Sequence, residues 1–89
     1  MKKQYILFDA SPPAKEADCT TFETWNGKRN DATSSTPQPE GTVKIGDNAW
    51  LIPRDSKPLY LAKLIVAADS TPIPYAIRFL YEEGDGTDL

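Results

Sequence analysis

Two side chains in this sequence have the right type for covalent or metal-assisted chemistry, Cys19 and Asp9, and both lack the usual helpers. The 89 residues include no histidine. Without one there is no imidazole base for a Ser or Cys nucleophile and no ordinary ligand set for catalytic zinc. Cys19 is the single cysteine. A lone thiol turns nucleophilic only where its surroundings stabilise the thiolate, so it reads as a small buried or half-buried residue. It cannot close an internal disulfide, which agrees with a reducing, cytoplasmic setting. Gly27, Gly41 and Gly46 are isolated turn glycines, not a phosphate-cradling loop. The acids between Glu82 and Asp88 lack the spacing of a calcium-binding loop. No cofactor and no metal site are expected.

Asp9 directly follows the apolar run Tyr5-Ile6-Leu7-Phe8. It could work with a divalent metal if a second carboxylate converged on it. Here the chain resembles the strand-end aspartate of the Cas2-type ferredoxin-fold nucleases, in which paired aspartates from two subunits hold a metal. Asn48-Ala49-Trp50-Leu51-Ile52, then a helix and a strand, is similar to that family's second half. The resemblance spans about half the chain and implies a metal-dependent nuclease acting through Asp9. The sequence departs from the family in a long polar loop and in lacking a clear first helix. The plainer account is that Asp9 caps the turn at Ser11-Pro12, because Asp bonds locally to turn backbone.

For binding, the candidates are Trp25, Asn26, Lys28 and Arg29. Tryptophan and arginine are enriched at binding hot spots. These residues stand at the head of a stretch, residues 26–41, dominated by Asn, Gly, Ser, Thr and Pro. That composition reads as a long loop, either mobile or a binding element. Lys28-Arg29 and the Arg54-Lys57 pair are too sparse for a nucleic-acid stripe. Net charge is −3, and four of the thirteen acids lie in residues 82–89, so the rest of the chain carries +1. A nearly neutral body argues against a nucleic-acid partner. No apolar run approaches the ~18 residues that span a bilayer, so no membrane partner is expected.

The elements that must position these residues follow from pattern. Residues 4–8 read as a strand apolar on both faces, hence central in a sheet. Residues 14–25 read as a short helical turn and then a strand, with Asn26-Gly27 as a hairpin turn. Residues 42–45 and 49–52 form a hairpin about Gly46-Asp47-Asn48. Residues 56–69 form one long helix, with Leu61, Leu64, Ile65 and Ala68 on one stripe. Residues 75–81 alternate, Tyr75, Ile77, Phe79 and Tyr81 on one face and Ala76, Arg78 and Leu80 on the other, and read as a last strand with one face packed under that helix. The fold class is α+β: a mostly antiparallel sheet of four or five strands with one long helix on one face. It forms one domain over residues 1–83, followed by a disordered acidic tail, 84–89. Were residues 14–25 a helix, the order would be βαββαβ, the ferredoxin-like order.

Three functions fit these residues. The first is a non-enzymatic protein that binds an unidentified protein partner, as an inhibitor or accessory factor of the kind carried by mobile elements. The second is the metal-dependent nuclease implied by Asp9. The third is a structural subunit that pairs with itself through a sheet edge, as a homodimer.

Overall fold

Tyr5-Ile6-Leu7-Phe8 runs through the middle of the sheet, as its two apolar faces require. The computed structural model of the chain describes residues 3–82; the acidic tail read at 84–89 lies outside them. Element order is β1 (Lys3–Ala10), α1 (Cys19–Ser34), β2 (Val43–Lys44), β3 (Ala49–Pro53), α2 (Leu59–Ser70) and β4 (Tyr75–Glu82). The four strands lie in the order β2-β3-β1-β4, and every neighbouring pair is antiparallel. It follows that β1 and β2, joined through α1, run the same way with β3 between them. Likewise β3 and β4, joined through α2, run the same way with β1 between them. The protein is thus α+β, with a four-stranded antiparallel sheet and two helices.

The second helix corrects the expectation of one. Residues 19–34 form a 16-residue helix where a strand, a hairpin turn and a loop were expected. Its start is capped by Asp18, whose carboxylate accepts the Thr21 backbone N–H at 3.0 Å and the Thr21 hydroxyl at 2.7 Å. Asn26-Gly27 sits inside this helix, and Gly27 keeps an ordinary negative φ; Gly41 and Gly46 are the glycines with positive φ. The polar stretch therefore shrinks to the segment between Ser34 and Val43. The β-formers Thr20, Thr21 and Thr24 and the Asn-Gly pair are overridden because a helix here can lay Trp25 on the sheet.

The core lies between the sheet and the helices. Phe8, Ala10, Trp50 and Ile52 from the sheet meet Trp25 from α1 and Tyr60, Leu64, Ala67 and Ala68 from α2. The Phe8 ring packs 6.0 Å from the Trp50 ring and 5.4 Å from the Tyr75 ring, centroid to centroid. Cross-strand partners share a face, so Ile77 and Phe79, opposite Phe8 and Ile6, point to this same side. The helices reach only the Tyr75 end of β4, however. Phe79 stays 59% exposed and Tyr81 49%. One face of the strand was expected to be buried with Leu61, Leu64 and Ile65; the contact is made at Tyr75 alone, with Leu64 fully buried and Leu61 and Ile65 partly so.

Candidate functional site

Helix α1 turns the expected binding residues inward or against neighbours. Trp25 is fully buried, so it is a core residue and not an exposed anchor. Its indole N–H donates to the Asn48 Oδ1 at 2.9 Å, and Arg29 Nη1 donates to the same oxygen at 3.2 Å. The Arg29 guanidinium also lies 5.8 Å from the centre of the Trp25 ring. Lys28 Nζ donates to the Ser70 carbonyl at 2.8 Å, near the C-terminal end of α2 where a cation is favoured. Asn26 is half-buried on the same helix. Lys28, Leu59, Lys63 and Val66 line a shallow groove of about 560 Å³ between the helices.

Cys19 is exposed at the first turn of α1, not buried or half-buried as expected. Its thiol donates to Glu23 Oε2 at 3.4 Å. The hydrogen bond to that carboxylate pushes the thiol pKa up, which favours the thiol over the thiolate. A nucleophilic cysteine needs the opposite environment.

Asp9 lies within β1, paired with Ala49 on one side and Ala76 on the other. It is exposed, and the chain makes no turn at Ser11-Pro12 for it to cap; the Ser11 N–H instead continues the pairing toward β4, donating to the Pro74 carbonyl at 2.9 Å. Among the described residues, no group of three or more His, Cys, Asp or Glu side chains is placed to hold a metal ion.

The sheet face that carries Asp9 is a feature that residue-by-residue reading missed. Both helices sit on the Phe8 side of the sheet, which leaves the opposite side uncovered by them. On that side the register aligns Pro53, Tyr5 and Leu80 in one row and Val43, Leu51, Leu7 and Arg78 in the next. A third row holds Ala49, Asp9 and Ala76. Ile45 joins this row, since its N–H donates to the Ala49 carbonyl at 2.8 Å. Tyr5, Leu7, Leu51, Pro53 and Leu80 are half-buried by their neighbours alone, and Val43 and Ile45 are about half exposed. The signal was in β1: a strand apolar on both faces needs cover on both, and one layer of helices supplies only one.

Comparison with family models, with curated proteins and with solved structures found no match for this chain.

Proposed function

We propose that this protein acts by binding another protein chain, not by catalysis. The observation that supports this is the sheet face that neither helix covers, where Tyr5, Leu7, Val43, Ile45, Leu51, Pro53 and Leu80 lie in register beside Asp9 and Arg78, with Lys3 opposite Glu82 in the row beyond Tyr5 and Leu80. Contiguous apolar surface beyond a few hundred Å² marks an interaction site on a soluble domain. Asp9 lies in the end row of this surface, diagonal to Arg78 on the adjacent strand. The strand-helix-strand, strand-helix-strand order further supports reading the arrangement as ferredoxin-like. The lone cysteine supports a reducing, cytoplasmic setting.

A photo-crosslinking side chain at Leu51, on the uncovered face, is the direct test. In the native host it should form protein adducts, while the same group at Val66, on the outer side of α2, should form few. Purified protein that cut DNA or RNA with magnesium or manganese, and stopped doing so as Asp9→Asn, would overturn the reading in favour of a nuclease.

A further inference from the structure

We infer that the chain covering this sheet face is a second copy of the same protein, paired about a two-fold axis so that Asp9 of each copy meets Arg78 of the other. The inference rests on the binding reading above and names its partner.

The charge pattern carries it. Asp9 pairs with Ala76 and Leu7 pairs with Arg78, so the acid and the base are diagonal neighbours on adjacent strands. Among the described residues, Asp9 and Arg78 form no ion pair with each other, and both are exposed. Lys3 and Glu82 oppose each other in the row beyond Tyr5 and Leu80, so the face holds acids and bases in equal number, and such a face is complementary to itself after a two-fold rotation. A face made for nucleic acid would carry a basic excess instead.

The geometry of the sheet agrees. Strands are about 4.8 Å apart, and residues on one face repeat about every 6.8 Å along a strand. On that lattice, an axis lying between two stacked sheets and bisecting the Asp9–Arg78 diagonal exchanges these two residues. Extended across the face, the same axis passes between Leu7 and Leu51, the centre of the apolar patch. It carries Tyr5 and Leu80 of one copy over Val43, Ile45 and Ala49 of the other. The patch therefore maps onto itself, with Asp9 and Arg78 meeting opposite charges. The strands of the two sheets then cross nearer to the orthogonal class of sheet packing than to the aligned one.

The area is of the right order. Strands of eight, eight, five and two residues lay out a face of about 400 Å² in projection. Side-chain relief raises the accessible area above that. Two such faces give about 800 Å² in projection before side-chain relief, the small end of specific interfaces, where pairing is weak and concentration-dependent.

Sedimentation velocity on the full chain at micromolar to 100 µM concentration tests the pairing. The expected result is a species of twice the chain mass. Asp9→Arg alone and Arg78→Asp alone set like charges against each other and should each weaken the dimer about 100-fold or more. The double variant Asp9→Arg with Arg78→Asp restores opposite charges and should recover it. Leu7→Glu should give a monomer, and Val66→Glu on α2 should leave the dimer intact. All these positions except Leu7 are exposed, so the charge-swap series stays informative even if Leu7→Glu fails to fold. A wild-type monomer at 100 µM overturns the proposal, as does a dimer indifferent to both single reversals. Adducts of Leu51 with a different protein, from a monomeric chain, would overturn self-pairing while leaving the binding reading standing.

Discussion

Trp25 and Asn48 are joined by a 2.9 Å hydrogen bond that ties the middle of α1 to the start of β3. The contact spans 23 residues of sequence and is the one polar link from the buried indole to the β2–β3 hairpin. Asn48→Ala removes the acceptor and leaves the indole N–H partly buried without one. The expected cost is about 1–3 kcal/mol, measured by denaturant unfolding. In a Trp25→Phe background the same change should cost less, because no N–H remains to be stranded. Trp25→Ala should cost about 3–5 kcal/mol, a large share of the net stability of a small domain. Equal costs for Asn48→Ala in both backgrounds would show that the bond contributes nothing.

Gly27 offers a test of α1 itself. It lies inside the helix at negative φ, and a Cβ there would meet no atom within 4 Å. Gly27→Ala should therefore stabilise the protein by about 0.5–1 kcal/mol. If residues 26–27 formed a hairpin turn, glycine would sit at positive φ and alanine would destabilise. The sign of the change in unfolding midpoint decides between the two.

The phase of α2 predicts an unequal pair. Leu64 is fully buried, and Val66 is 64% exposed on the outer side. Leu64→Ala should cost about 2–5 kcal/mol as a large-to-small core change. Val66→Ala should fall within about 0.5 kcal/mol of wild type. Similar unfolding midpoints for the two variants would refute the packing described.

Acid should loosen the start of α1. The Thr21 backbone N–H and then the Thr21 hydroxyl hold the Asp18 carboxyl below its ordinary pKa. A carboxyl with a lower pKa in the folded state stabilises that state above the unfolded pKa, and the gain is lost as pH falls through the folded value. Asp18→Ala should therefore lower Tm at neutral pH, with the gap to wild type closing below about pH 4. Asp18→Asn still accepts the N–H, so it should keep most of the neutral-pH Tm and lack this component of the acid loss. A gap between wild type and Asp18→Ala that is constant from pH 7 to pH 3 would sink the assignment.

Four strands, one helix and the central place of β1 are legible in the sequence. Each of these is written locally. Tyr5 to Phe8 is apolar on both faces, Gly46-Asp47-Asn48 turns a hairpin, and the Leu61-Leu64-Ile65-Ala68 stripe has helical period. The tertiary structure alone decided α1, because its sequence carries few apolar side chains and an internal Asn-Gly. What makes it a helix is the burial of Trp25 against a sheet assembled from residues distant in the chain. Tertiary structure also decided that Trp25 is core and that Asp9 and Arg78 are diagonal neighbours, since register between β1 and β4 sets that diagonal across some seventy residues. Which side of the sheet remains uncovered follows from the same cause. Both faces of β1 are apolar, and only the crossing of α1 and α2 on the Phe8 side chooses between them.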